Sequence, residues 1–216
     1  MSNWQPASDA SAARRRAAML GRARTYFETD DVLAVDTPAL SPYLNTDPAL
    51  ESLSVHTAAG CELFLHTSPE FYMKRLLAAG YPDIYSIARV FRDGEAGRQH
   101  LREFTMIEWY RLGFGLEKII ADAAGLVAAC IERPELNETL VQIDFAAAFA
   151  EYAKLDVFAA SPGELADTAG ADSELRSAVG DDRDAWLDLI LDTRIVPSFD
   201  ASRITVLKHF PASKAA

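Results

Sequence analysis

Residues 89–111 read RVFRDGEAGRQHLREFTMIEWYR, the most informative stretch of the chain. The apolar run before Arg92, the charged loop with glycines after it and the aromatic run that follows predict a strand, a loop and a returning strand. We place the two strands at about Asp83–Arg92 and Arg102–Arg111. Side chains alternate across a strand, so each strand contributes one set of side chains to a given face. These sets are Ile84, Ser86, Ala88, Val90 and Arg92 on the first strand, and Phe104, Met106, Glu108 and Tyr110 on the second.

If the two sets share a face, the hairpin predicts a nucleotide site. Arg92 offers a guanidinium group that stays charged and binds phosphate oxygens through paired N–H groups. Phe104 can stack on a purine ring. The loop residues Arg98 and His100 can reach the outer phosphates.

Further along this face, Glu108 and Tyr110 can receive a cationic amino group. The alternative is a surface hairpin with solvated charges and with Phe104 in the core. A single Arg or Phe favours that alternative. The whole combination, with Trp109 and Tyr110 beside Glu108, favours the binding site.

Periodicity and end signals predict the elements around the hairpin. The segment Thr67-Ser68-Pro69-Glu70 predicts a helix start, with Ser68 as the cap, Pro69 in the first turn and Glu70 complementing the helix dipole. That helix is expected to run to Ala79. The other predicted helices are Ser11–Glu28, Leu116–Ile131 and about 144–153, 162–169 and 181–193, and the other predicted strands are Val32–Val35, Leu53–Thr57, Glu62–His66 and Ile204–His209.

Composition favours one soluble globular domain. The chain has 216 residues, a formal net charge of −11 and a pI of about 4.8. An acidic chain is a poor binder of polyanions, so tRNA is an unlikely partner. Cys61 and Cys130 are far apart in the sequence, so we expect them to be free thiols in a reducing compartment. We find no apolar run of membrane-spanning length and no secretory signal, so we expect a cytoplasmic protein without membrane contact, with residues 1–10 disordered.

The histidines do not predict a metal site. His56, His66 and His209 are dispersed and lack the spacing of metal-binding motifs, so structural roles are expected for them and no metal ligand is assigned. The P-loop, the G-x-G-x-x-G fingerprint and the G-x-S-x-G elbow are also missing from the sequence.

Four segments together resemble one enzyme family. Residues 89–111 resemble motif 2 of the class II aminoacyl-tRNA synthetases, and Val35-Asp36-Thr37-Pro38 resembles motif 1. Residues 67–76 (TSPEFYMKRL) and 209–213 (HFPAS) narrow the resemblance to the lysyl-tRNA synthetase branch and its short relatives, the elongation factor P lysine ligases. The resemblance implies an α+β fold, with an antiparallel sheet flanked by helices, and a homodimer with Pro38 at its interface.

The resemblance also implies a role for each site residue. Arg92 would grip the α-phosphate of ATP, Phe104 would stack on adenine and His100 would meet the outer phosphates, with Mg²⁺ bridging phosphates. The residues implied for the amino-acid substrate are Ser68, Pro69 and Glu70 near the amino group beside the reacting carboxylate, and Glu108 and Tyr110 at the distal ammonium.

Two local features and the length of the chain depart from the family pattern. Leu101-Arg102 and Gly94 replace loop residues that are usual in the family. The family's final third, with its Mg²⁺-binding strands and motif 3, has no counterpart here. We therefore expect residues 11–216 to form a C-terminally incomplete catalytic domain that does not activate an amino acid by itself.

The expected function is ATP-dependent activation of lysine or (R)-β-lysine as an aminoacyl-adenylate and its transfer to a lysine of elongation factor P. A fragment of a lysyl-tRNA synthetase catalytic domain is one alternative. The other is a non-catalytic module of the same fold that binds a nucleotide or a partner. The sequence does not separate β-lysine from α-lysine.

Overall fold

The computed structural model describes residues 8–47, 50–94, 97 and 100–214. The chain forms two compact units. The first unit comprises Met1–Ile119 and Ala129–Ile131, and the second comprises Ile120–Ala128 and Glu132–Ala216. Residues 1–7 of the predicted disordered segment, together with Arg98, lie outside the described residues.

The first unit holds two small sheets and the helices next to them. Its elements are α1 (Ala10–Thr29), β1 (Leu33–Ala34), β2 (Leu40–Ser41), β3 (Ser54–His56), β4 (Glu62–Leu65), α2 (Glu70–Ala78), β5 (Ile84–Phe91), β6 (Glu103–Tyr110) and the start and end of α3 (Leu116–Cys130). The strand orders are β1-β5-β6 and β2-β4-β3. The predicted helices at the two ends of this unit and the predicted hairpin are therefore present within a residue or two of their expected bounds.

The hairpin β5–β6 is a continuous antiparallel ladder. Its register runs from Phe91 opposite Glu103 to Ile84 opposite Tyr110. On the other side of β5, the short strand β1 pairs with it in parallel, an arrangement that the sequence did not predict. β2 and β3 both pair with β4 in antiparallel fashion.

Helix α1 covers one face of the hairpin. Asp9 caps the helix by accepting a hydrogen bond from the amide of Ala12 at 2.7 Å. Near the other end, Phe27 is fully buried and its ring stacks on Tyr85 at 4.4 Å. The same ring lies 5.6 Å from Trp109. Tyr85 and Trp109 are directly opposite each other in the ladder, so α1 occupies their face.

Arg111 ties the end of α1 to both strands of the hairpin. Its side chain is only 4% exposed and forms ion pairs with Asp30, just after α1, and with Asp83, just before β5. Asp83 also accepts a hydrogen bond from the amide of Leu112 at 2.7 Å. Arg111 therefore fixes the positions at which three elements end.

The second unit has its own apolar core and a parallel strand pair. Its elements are a 3₁₀ turn (Pro134–Thr139), β7 (Val141–Asp144), α4 (Phe145–Ala148) with a π turn (Phe149–Ala153), α5 (Pro162–Ala169), α6 (Ser173–Val179), α7 (Arg183–Ile190) with a π turn (Leu191–Ile195) and a 3₁₀ turn (Val196–Ser198), β8 (Thr205–Lys208), a 3₁₀ turn (Ala212–Lys214) and the middle of α3. The fully buried side chains at the centre of this core include Trp186, Phe145, Phe149, Leu165 and Ile190.

One strand and one α-helix of this unit were not predicted. Strand β7 is short, and its parallel partner β8 lies about 60 residues later, so nothing local indicates the pairing. Helix α6 buries none of its residues and therefore has no apolar face to detect. In contrast, α5 begins with Ser161 and Glu164 in a capping box, and its bounds agree with the prediction of 162–169.

Replacing Arg111 should destabilise the first unit. Arg111→Ala removes a buried cation from two carboxylates, and breaking such a pair costs about 3 kcal/mol. Urea unfolding should report this loss as a lower midpoint. The control is Arg133→Ala, because Arg133 forms an exposed pair with Glu135 and such pairs contribute about 0–1 kcal/mol. Equal effects of the two variants would contradict the anchoring role of Arg111.

Candidate active site

The candidate site lies on the face of the β5–β6 hairpin opposite to the one that carries Tyr85 and Trp109. The ladder sets Val90 opposite Phe104, Ser86 opposite Glu108 and Ile84 opposite Tyr110. Residues directly opposite each other in an antiparallel pair point to the same side of the sheet. The two sets of side chains read from the sequence therefore do share one face.

At one end of this face, Arg92 and Phe104 are in contact. The guanidinium carbon of Arg92 lies 5.2 Å from the centre of the Phe104 ring, a cation–π arrangement. Nε of Arg92 also donates to the backbone oxygen of Thr67 at 3.5 Å. A phosphate-binding group and a ring able to stack on a base are thus adjacent.

Thr67 connects this end to the start of α2. It is 3% exposed, and its hydroxyl accepts a hydrogen bond from Nδ2 of Asn45 at 2.6 Å. Sequence reasoning gave neither residue a role, because the contact joins two loops that are 22 residues apart. The contact fixes Thr67, whose backbone oxygen accepts the hydrogen bond from Arg92.

Ser68, Pro69 and Glu70 form the N-terminus of α2, with one change from the expectation. Pro69, not Ser68, is the N-cap residue, and its side chain is fully buried. The hydroxyl of Ser68 instead accepts a hydrogen bond from the amide of Glu70 at 3.2 Å, a local turn that the proline conformation permits. The helix therefore begins where expected, but its N-cap is Pro69 and not the predicted Ser68.

A cleft of about 250 Å³ opens beside this helix start. Its walls include Ser68 and Glu70 together with the aromatic rings of Tyr43, Phe71 and Tyr72. An aromatic cleft with a few polar groups is the usual setting of a small-molecule site. The predicted residues at the helix start therefore border a space that a small molecule can enter.

Glu108 and Tyr110 form the other end of the hairpin face. The hydroxyl of Tyr110 donates to Oε1 of Glu108 at 2.7 Å. Burial raises the pKa of the Glu108 carboxyl, and the negative charge of Glu70 raises it further. The hydrogen bond from Tyr110 and the charges of Lys74 and His66 lower that pKa, but the net direction is upward.

The Tyr110 hydroxyl is held in its neutral form. Burial raises its pKa, and so do its hydrogen bond to Glu108 and the charges of Glu108 and Glu70. Glu70 is paired with Lys74 one helical turn away. This end of the face therefore combines the Glu108 carboxyl group and a neutral hydroxyl, a pair suited to a cation.

His100 is the predicted residue that the structure does not join to the others. It is exposed on the loop between the strands, and its backbone oxygen accepts a hydrogen bond from the amide of Gly97 at 3.1 Å. Its contact with phosphates remains a prediction. His66 fits the structural role expected for it, since Nε2 lies 2.6 Å from the backbone oxygen of Arg89.

The described residues provide no metal centre of their own. No group of three or more His, Cys, Asp or Glu side chains among them could hold a metal ion. We therefore assign no protein ligand to Mg²⁺ and no step to it.

Comparison with known proteins identifies the family. The family model described as tRNA synthetases class II (D, K and N) matches residues 6–212. The chain belongs to this family. The resemblance read from the motifs is thereby confirmed, and so is the expected α+β fold class.

Three curated relatives are similar to this chain over nearly its whole length. Each is named elongation factor P–(R)-β-lysine ligase. The protein of Photorhabdus laumondii is 35% identical over 99% of this chain and 66% of its own length. The proteins of Haemophilus influenzae and Edwardsiella ictaluri are 34% and 36% identical over 100% of this chain and 67% of their own length. The chain thus spans about two thirds of the length of these relatives.

A solved structure supports the fold alone. Asparaginyl-tRNA synthetase from Pyrococcus horikoshii, complexed with asparaginyl-adenylate, matches with a TM-score of 0.57 at 17% identity. The match covers 73% of this chain and 42% of the synthetase.

Glu108→Gln should stabilise the protein increasingly as the pH rises. A carboxyl whose folded-state pKa is raised binds its proton more tightly in the folded state, so its contribution to stability falls as the pH rises from its ordinary value of 4.5 through the raised pKa. Gln removes this penalty and can still accept from Tyr110. Urea unfolding from about pH 4.5 to about pH 7.5 should show the variant gaining on the wild-type protein.

Glu135→Gln is the control, because its stability relative to the wild-type protein should change with pH in the opposite direction. A hydrogen bond from Arg133 lowers the pKa of the exposed Glu135, so its contribution to stability is present above the ordinary pKa and is lost as the pH falls. A Glu108→Gln variant that loses stability relative to the wild type on going to neutral pH would contradict the buried charge.

Proposed function

We propose that the protein activates lysine or (R)-β-lysine with ATP and transfers the aminoacyl group to a lysine of elongation factor P. The observation that carries the proposal is the hairpin face, with the Arg92–Phe104 contact at one end and the Glu108–Tyr110 pair at the other. A site that takes a nucleotide at one end and an ammonium at the other suits an amino-acid ligase. The names of the relatives, quoted above, support the same reaction and acceptor.

In the first step a carboxylate oxygen of the amino acid attacks the α-phosphorus of ATP, and the bond to pyrophosphate breaks. Arg92 stabilises the negative charge that develops on the α-phosphate, while Phe104 holds the base by stacking. In the second step the acceptor amine attacks the carbonyl carbon, and AMP leaves. The protein contributes position and charge, with no side-chain nucleophile.

The amine end of the face selects the substrate. Glu108 is buried enough to have a raised pKa, yet its hydrogen bond from Tyr110 favours the carboxylate form that a substrate ammonium needs. A charge-assisted contact in a partly buried place is strong, and it leaves a buried charge unpaired when the substrate lacks the amine. Glu70, with Ser68 and Pro69, would hold the amino group beside the reacting carboxylate.

Several finer features belong to the proposal. ATP would enter with Mg²⁺ on its phosphates, His100 would approach the outer phosphates, and the protein would act as a cytoplasmic homodimer that does not use tRNA. Among the described residues, no helix is both long and apolar enough to cross a membrane.

ATP–pyrophosphate exchange by the protein produced from its complete gene tests the proposal. Exchange should depend on lysine or (R)-β-lysine, and Arg92→Ala should lower it about 100-fold to 1000-fold because a preorganised charge is lost at the α-phosphate. Labelled amino acid should then appear on elongation factor P.

Arg89→Ala is the matched control. Arg89 lies on the same strand but belongs to the opposite face, where it is exposed and pairs with Glu103 at 3.3 Å. Its replacement should leave exchange unchanged. Full exchange activity of the Arg92→Ala variant would contradict the role assigned to Arg92. Charging of tRNA by the protein would instead indicate a lysyl-tRNA synthetase. Binding of ATP without exchange would indicate a non-catalytic module.

A further inference from the structure

Ser86 is a buried polar residue in the floor of the candidate site to which neither the motifs nor the comparisons give a role. It is 2% exposed, in the middle of β5. Its hydroxyl oxygen is inaccessible to solvent and has no hydrogen-bond partner among the residues that the structure describes. Buried hydroxyl groups are nearly always paired, so an unpaired one requires a physical explanation.

The ladder register places Ser86 directly opposite Glu108. Directly opposite residues of an antiparallel pair have Cβ atoms about 5 Å apart on the same face. Tyr110 is two residues further along that face, and its hydroxyl already reaches Oε1 of Glu108 at 2.7 Å. A carboxylate and two hydroxyl groups therefore belong to neighbouring positions of one sheet face.

These groups match the hydrogen-bonding capacity of a primary ammonium. An ammonium group has three N–H donors and no acceptor. Glu108 offers carboxylate lone pairs, and Tyr110, whose hydroxyl donates its hydrogen bond to Glu108, offers lone pairs of its phenolic oxygen. The Ser86 hydroxyl can accept the third hydrogen bond when the side chains that cover it move aside for the ammonium group.

We propose that Ser86 is a specificity-determining residue that accepts the third hydrogen bond from the distal ammonium of the substrate. The inference rests on the proposed function, in which Glu108 and Tyr110 bind that ammonium. With three acceptors around the nitrogen, a substrate that carries a methyl group there loses a hydrogen bond and places a methyl group against the Ser86 hydroxyl. The site thereby selects an unmodified primary amine over its N-methylated forms.

Burial makes this role separable from a role in folding. Because the Ser86 hydroxyl has no partner to lose among the described residues, Ser86→Ala should leave the thermal midpoint unchanged or raise it. The same change removes a hydrogen bond to a charged donor in a site of low polarity, where such bonds are strong. A residue with a purely structural role would not give this combination.

The experiment is amino-acid-dependent ATP–pyrophosphate exchange by the protein produced from its complete gene. The substrates are the better of lysine and (R)-β-lysine and its counterpart monomethylated on the distal nitrogen. Ser86→Ala should raise KM for the unmodified substrate about 10-fold to 100-fold, with kcat little changed. KM for the methylated substrate should stay constant or fall, so that the discrimination between the two is reduced.

Ser54→Ala is the matched control, because it makes the same Ser-to-Ala change at an exposed position of β3 in the first unit. It should leave both KM values unchanged. An unchanged KM for Ser86→Ala would overturn the inference. An equal rise of KM for both substrates would also overturn it, because it would mean that Ser86 only orients Glu108. Absence of exchange with every amino acid in the wild-type protein would instead overturn the proposed function.

Discussion

The main-chain ladder between β5 and β6 is the constraint on which the candidate site depends. Its register sets Phe104 opposite Val90 and Glu108 opposite Ser86, so that one face collects the strand side chains to which we assign a binding role. A shift of one residue in this pairing would exchange the two faces and bring Thr105 and Trp109 into the site. The chemistry therefore depends on backbone hydrogen bonds before it depends on any side chain.

Packing on the opposite face protects this register. Phe27 of α1 is fully buried against Tyr85 and Trp109, and Arg111 ties the ends of α1 and of both strands together. An aromatic contact of this kind contributes apolar burial and a preferred geometry at the same time. Since α1 occupies that face, the face with Arg92 and Glu108 remains available for a ligand.

The available face carries features that disfavour folding and favour binding. Glu108 is a partly buried carboxyl with a raised pKa, and the Ser86 hydroxyl is buried without a partner in the part of the chain that the structure describes. Both would be penalties in a hydrophobic core. In a site for an ammonium they become complementary groups, because the ligand supplies the charge and the donors. Local departures from good packing rules are expected where a protein binds something.

The hairpin, the helix starting beside Pro69 and the family could be predicted from the sequence. These are local properties, carried by periodicity, capping residues and contiguous motifs. Alternation also predicted which side chains of each strand lie together, but the ladder register was needed to bring Arg92 and Phe104 to one face. Four features became visible only in the folded structure: the parallel pairings of β1 with β5 and of β7 with β8, the link from Asn45 to Thr67, and the burial of Ser86 without a partner among the described residues. Such features depend on residues distant in sequence, and a serine in a strand does not reveal whether its hydroxyl finds a partner until the packing around it is known.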